Sequence, residues 1–210
     1  YALVDKKGNL TIRGLEKVRR DWSNIAKQTQ EEVLKLVLIK QDIPAAIRFV
    51  KQTIQKLKKG QIPLRDLTIY EQLTKPLSEY KAIGPHVAVA RKMKSRGEDI
   101  AEGNIIMFVI TKHGGPRISD RAESISHAEL KDIDINYYIE RQIVPAAMRI
   151  LKVLGVDESE FIPKKKKKDT PSPAQLLANS LPADYPSPDS RSCPKSAHQL
   201  RPLPRLHRHS

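Results

Sequence analysis

The chain has 210 residues, with 38 Lys and Arg against 24 Asp and Glu, a formal charge of +14 and a pI near 9.9. That length holds one good-sized domain, or a domain with a tail, and such a basic surplus favours polyanionic partners without specifying a fold. The longest apolar runs, 105–110 and 36–39, fall far short of the roughly 20 residues a membrane span needs, no signal-peptide pattern opens the chain, and the single cysteine, Cys193, allows no internal disulfide and fits a reducing compartment.

In chain order, residues 1–4 and 10–13 read as short strands around a turn at 5–9. Asp21 is placed to cap a helix running to about Lys40, with Trp22, Ile25, Thr29, Val33 and Leu36 on one face. Trp22 reads as a core or hinge residue, and the pair Glu31-Glu32, set among lysines, as surface charge. A second helix opens at Asp42 with Pro44 in its first turn, carries the stripe Ile47, Val50, Ile54 and Leu57, and stops at Gly60. A third starts on Gly84-Pro85. The stretch 104–111 is β-rich, and His113-Gly114-Gly115-Pro116 turns it into a return strand, giving a small β insert over about 104–122. The last helix spans 134–154 with the stripe Ile139, Ile143, Ala147, Ile150 and Leu154, Gly155 as its C-terminal stop and a kink or local break at Pro145. Tyr137 and Tyr138 on this helix read as core anchors in preference to base-stacking rings.

Composition changes near Pro163. Residues 164–210 hold ten Lys and Arg against three Asp, and eight of the fifteen prolines. Such a segment buries too little apolar surface to offset its ordering entropy and is expected to be disordered. Its opening run of five lysines, 164–168, reads as a solvated spacer ahead of a nuclear-import or DNA-tethering patch. The expected fold is mainly α with a small β insert (α+β), followed by a basic, Pro-rich tail.

Catalytic patterns are missing. There is no phosphate-binding P-loop, Gly-rich dinucleotide turn, Gly-x-Ser-x-Gly elbow or His-Glu-x-x-His. Of six histidines only His207 and His209 are closely spaced, and they lie in the tail, so no metal site and no catalytic residue is assigned to this chain. Asp132 and Asp134 read as helix caps.

The third helix carries the binding signal. Residues 80–97 contain Lys81, Arg91, Lys92, Lys94 and Arg96 and no acidic residue. Pro85 in the first turn has no N–H, while His86, Val87 and Ala88 are expected to leave theirs open at the positive end of the helix dipole, where phosphate binds well. Val89, Ala90 and Met93 make the buried side. Ala88 and Ser95 are small, letting a sugar-phosphate backbone approach, and Lys81, Arg91 and Lys92 neutralise it. No aromatic platform is interleaved, which favours duplex backbone contact over single-strand stacking.

These residues also carry a family resemblance. Arg13-Gly14-Leu15-Glu16-Lys17-Val18-Arg19-Arg20-Asp21-Trp22-Ser23 resembles the palm-to-thumb passage of archaeal family B DNA polymerases. Tyr70-Glu71-Gln72-Leu73-Thr74-Lys75-Pro76-Leu77, continuing through Tyr80-Lys81-Ala82-Ile83-Gly84-Pro85-His86-Val87-Ala88-Val89-Ala90, resembles the thumb of the same enzymes, as do Ser119-Asp120-Arg121-Ala122 and Tyr137-Tyr138-Ile139-Glu140-Arg141-Gln142 with Pro145-Ala146. Tyr1-Ala2 is similar to the end of the family's palm strand, whose lysines touch the primer-template minor groove.

The resemblance implies palm-edge strands and a hinge at 1–20, a thumb at 21–163 and the tail at 164–210. It implies double-stranded primer-template DNA as partner, with Lys81, Gly84, His86, Val87, Ala88, Arg91 and Lys92 at the duplex and Arg13, Arg121 and Tyr1 as weaker contacts. The family's exonuclease motifs and metal-holding palm aspartates precede the point that matches Tyr1. The resemblance therefore implies the small subunit of a split polymerase, or else a fragment of a longer one, with Mg²⁺ and catalysis in the palm of a larger chain and a cytoplasmic, nucleoid-associated location. The family's sliding-clamp box is not matched, since Gln175-Leu176-Leu177 lacks its aromatic pair. Two rivals come from other classes: a stand-alone basic helical module for DNA packaging or RNA binding, and a protein-interaction scaffold.

Overall fold

The computed structural model describes residues 1–162, so the expectations for the lysine run and the tail lie outside the described residues. The chain opens as a hairpin of β1 (Ala2–Val4) and β2 (Leu10–Ile12), paired antiparallel with Ala2 opposite Ile12. Its turn closes on Asp5, whose carboxylate accepts the N–H groups of Lys7 and Asn9, both at 2.8 Å. A 3₁₀ turn, Glu16–Val18, leads into the helical body.

Helix α1 (Asn24–Leu38) starts two residues later than the Asp21 cap implies. Asp21 is held by the Arg19 guanidinium instead, and the N-cap is Ser23, whose N–H and hydroxyl both donate to Gln142 Oε1, at 2.9 and 3.0 Å. The cap is therefore set by a tertiary contact that local spacing does not encode. The buried face holds Ile25, Thr29, Val33 and Leu36 as expected and is widened by Ala26, Gln30 and Leu34, while Trp22 is half-buried. Helix α2 (Ile43–Lys58) begins as the sequence implies: Asp42 accepts the Ala45 N–H at 2.8 Å, Pro44 stands in the first turn, and Gly60 at φ 67° ends the segment. Val50, Ile54 and Leu57 are buried and Ile47 is half-buried. Each fully buried aliphatic side chain of this kind contributes roughly 1.5–3 kcal/mol.

Short helix α3 (Leu64–Leu67) feeds β3 (Ile69–Gln72), a strand the sequence reading did not assign. It pairs antiparallel with β4 (Ile105–Ile110), Ile69 opposite Phe108. On its other side β4 pairs antiparallel with β5 (Ala122–Ser124), Phe108 opposite Ser124. The β insert is thus a three-stranded sheet in the order β3-β4-β5, whose first strand comes from before the expected segment. Gly114, at φ 118°, belongs to the expected turn: a Cβ there would sit 2.3 Å from the Asp120 carbonyl oxygen. Helix α4 (Pro85–Ser95) packs on β4 and β5 through Val87, Val89 and Ala90, and α5 (Ile118–Arg121) carries the return into β5.

The last helix is broken into four pieces: α6 (Ile135–Tyr138), a π-helical turn (Ile139–Ile143), α7 (Val144–Leu151) and a 3₁₀ turn (Lys152–Leu154) ended by Gly155 at φ 82°. Pro145 lacks the N–H that would bond four residues back, and the wider turn absorbs the break. That wider turn also shifts the helical phase. Ile139, Ile143 and Ala147 are buried as expected, but Leu151 completes the stripe, while Ile150 is half-buried and Leu154 exposed. Tyr138 is fully buried and its hydroxyl accepts the Ile110 N–H at 3.2 Å, so α6 is fastened to β4. Burial pushes this hydroxyl's pKa far up, keeping it neutral. Both tyrosines serve the core, meeting edge to face at 5.3 Å. Among the described residues no helix is long and apolar enough to cross a membrane.

Candidate nucleic-acid interface

Helix α4 is built on the sheet so that its start faces away from the core. Gly84 is the N-cap, in extended backbone, and supplies no side chain to the first-turn N–H groups. The structure narrows the donors expected there. Ala88 N–H already bonds to the Gly84 carbonyl at 3.0 Å, the first bond of the helix. Val87 has no exposed surface and is a core residue, so neither it nor the Ala88 amide is open to a phosphate. The imidazole of His86 remains at the rim, 13% exposed, its Nδ1 approaching Glu71 Oε2 on β3 to 2.9 Å without the alignment of a hydrogen bond.

A loop is folded against this helix start. The Tyr80 ring meets His86 edge to face at 5.8 Å, its hydroxyl accepts the Thr74 N–H at 2.9 Å, and Lys75 Nζ lies 4.9 Å from its centroid. Lys81 follows directly and is exposed.

The five cations of residues 80–97 fall into two sets. Lys92 Nζ donates to the Ala122 carbonyl at 2.6 Å and lies 3.4 Å from Glu123 Oε2. Arg96 Nη1 donates to Glu123 Oε1 at 2.8 Å. Burial pushes the Glu123 carboxyl up, but the bonds from Arg96 and the Ser124 N–H, with the Lys92 charge, outweigh it and hold the group below the usual carboxylate range. These two cations are spent on fastening α4 to β5. Lys81, Arg91 and Lys94 are exposed and among the described residues have no carboxylate partner; the Arg91 guanidinium donates to the Leu77 carbonyl, at 3.4 Å.

The weaker candidates lie elsewhere. Arg121 is committed to Asp134, a mostly buried pair whose carboxylate also caps α6 by accepting the Tyr137 N–H at 3.0 Å. Arg13 and Tyr1 sit side by side on the hairpin, joined by the Tyr1 amino group donating to the Arg13 carbonyl at 2.7 Å, and both side chains are exposed. Of the expected set, Lys81, Gly84 and His86 stand at the α4 start and Arg91 is exposed further along the helix. The Ala88 amide is bonded within the helix, Val87 is in the core, Lys92 and Arg121 are in ion pairs, and Arg13 and Tyr1 are on the hairpin.

Chemically, open cations beside an uncapped helix start attract phosphate; they do not break bonds. Among the described residues no three His, Cys, Asp or Glu side chains converge to hold a metal ion. The sequence pairs Glu31-Glu32 and Asp132/Asp134 are structural: Glu31 pairs with Lys17 and Lys35, and Asp134 with Arg121.

Residues 1–154 match the model of DNA polymerase family B. The chain belongs to that family. Relatives include a DNA polymerase of Methanocaldococcus jannaschii, 45% identical over 161 residues, covering 77% of this chain and 10% of the relative. Another is a DNA polymerase of Pyrococcus glycovorans, 46% identical over 164 residues, covering 77% of this chain and 21% of the relative. The fold is similar to the family B DNA polymerase of Pyrobaculum calidifontis, with a TM-score of 0.64 at 36% identity over 75% of this chain and 20% of that one. The chain thus spans less than a quarter of the length of these relatives.

Sequence reasoning missed Lys94 as an open cation and Tyr80 as the post of the loop. The first was visible as one of five cations in a stretch, 80–97, that holds no acid. The second needed β3, because Glu71 reaches His86 only once that strand is paired.

Proposed function

We propose that this chain is the DNA-binding thumb part of a family B DNA polymerase, gripping the primer-template duplex behind the site of synthesis. The observation that carries this reading is the uncapped start of α4, preceded by Lys81 and followed along the helix by Arg91 and Lys94, three exposed cations with no carboxylate partner among the described residues, on a chain of that family. His86 and the Gly84 backbone meet the same phosphates, with Arg13 and Tyr1 as secondary contacts from the hairpin. Catalysis belongs to a larger chain, whose palm carboxylates and Mg²⁺ ions align the primer 3′-hydroxyl with the incoming nucleotide. The chain's own share is position and residence time on DNA in a nucleoid-associated complex. β1 and β2 pair only with each other among the described residues, and Leu3 is 49% exposed, so an outer edge is available to a strand of that partner.

Two measurements test the reading. Fluorescence anisotropy with a labelled primer-template should give saturable binding that Lys81→Ala/Arg91→Ala weakens. Primer extension should be absent with the purified chain alone and present in a pull-down that retains a larger polymerase chain. Unchanged duplex affinity in the double variant, or nucleotide incorporation by the chain alone, would contradict it.

A further inference from the structure

Glu16 is a carboxylate at 3% exposure that has no part in phosphate binding. Its Oε1 accepts a hydrogen bond from Arg149 Nε at 3.0 Å and lies 3.0 Å from Nη2 of the same guanidinium, and its Oε2 accepts one from Gln30 Nε2 at 2.6 Å. Gln30 is fully used in turn: its second amide hydrogen goes to the Ala146 carbonyl at 3.0 Å, and its Oε1 accepts the Lys17 N–H at 2.8 Å. Three separate elements therefore meet on one buried polar network: the 3₁₀ turn after the hairpin, α1 and α7. Burial pushes the Glu16 carboxyl up, and the bonds from Gln30, its own N–H and Arg149 outweigh it, leaving the group ionised at neutral pH.

The hairpin's other attachment is shallow: β1 touches α1, and Ala2, Val4, Leu10 and Ile12 are half-buried, but no residue from 1 to 14 is fully buried and none belongs to the hydrophobic core. Gly14, at φ 71° with no atom within 4 Å of where a Cβ would be, makes the left-handed turn between hairpin and network. Two residues past that turn, Glu16 is the first fully buried side chain of the chain and so its first deep anchor on the helical body.

We infer that Glu16 is a positioning residue: with Gln30 and Arg149 it forms an ionic clasp that fixes the direction in which the β1–β2 hairpin leaves the helical body. The inference concerns the chain's own geometry and stands whether or not α4 grips duplex. If the hairpin joins a catalytic chain, the clasp sets the angle between the two parts.

The test is a spin-label distance measurement in the full chain carrying Cys193→Ser, with nitroxides on Lys6→Cys in the hairpin turn and Gln52→Cys on the exposed face of α2. The unmodified clasp should give one narrow distance peak. Arg149→Met, which removes a side chain that is 63% exposed, should lose that peak to a broad distribution while the melting transition of the core is retained. Glu16→Gln, nearly isosteric but uncharged, should do the same. A narrow, unshifted peak in folded Arg149→Met overturns the clasp, whatever Glu16→Gln does to folding.

Discussion

Helices α2 and α4 look alike in sequence. Each carries a proline in its first turn, cations toward its end and no acidic residue within its length. They differ in what meets their ends. The start of α2 is closed by Asp42, whose carboxylate takes the Ala45 N–H, and Lys51 lies 2.7 Å from Glu160. The start of α4 has a glycine where α2 has a carboxylate, and Lys81, Arg91 and Lys94 in and before this helix meet no acid among the described residues. Charge counts along a sequence do not separate these cases. A cation already paired stabilises the fold, whereas an exposed one without an acid partner, near a helix start that no side chain caps, is available to a ligand.

Exchanging the two starts should produce the largest effect. Gly84→Asp gives α4 the cap of α2 and sets a carboxylate against the incoming phosphate. Like charges facing each other cost several kcal/mol, so duplex affinity should fall by about tenfold to a hundredfold. The ideal Cβ lies 3.1 Å from the His86 ring, so a small movement of that ring should accompany the change, with the fold retained by circular dichroism. Unaltered affinity would break the comparison.

Next come changes confined to stability. Asp42→Ala should lower unfolding free energy by about 1 kcal/mol, as loss of an N-cap does. Lys92→Ala removes the bond to the Ala122 carbonyl and should cost about 1 kcal/mol, at the low end for a charged donor because the ammonium is partly solvated. Both should leave duplex affinity unchanged in the same anisotropy assay. A large loss of binding in either would move the grip away from the assigned residues.

The smallest effect is expected near neutral pH, where nothing should change. Glu16, Glu31 and Glu123 are all held below the usual carboxylate range when folded. The folded chain therefore binds fewer protons than the unfolded one in acid, and the stability these groups supply is present above the unfolded pKa. It should be lost as pH falls below about 4, through the folded values. Thermal melts across pH should thus be flat from neutral to mildly acidic conditions and drop below that; a decline already at pH about 6 would point to histidine instead.

Much of this was legible in the sequence where the cause is local. Asp42 with Pro44, Gly84 with Pro85, Pro145 and Gly155 each mark an element end by backbone chemistry, and each is found there. What escaped depends on distant partners. Ser23 replaces Asp21 as cap because Gln142 lies across from it. β3 forms because β4 is there to pair with it, and Leu151 replaces Leu154 in the core because a π turn intervenes. The same limit divided the candidate site. Arg91 and Lys92 are adjacent and equally basic, and only the position of Ala122 and Glu123 assigns one to solvent and the other to the fold.

The most direct test of the central claim is the salt dependence of duplex affinity for Arg91→Ala beside Lys58→Ala, one cation from each of the two compared helices. Each neutralised phosphate contributes about 0.9 to the slope of log affinity against log salt on B-DNA. Arg91→Ala should flatten that slope by up to about one unit, with similar losses on unrelated sequences, while Lys58→Ala leaves it unchanged. Equal, small changes in both variants would show a diffuse basic surface and contradict the assignment of the grip to the start of α4.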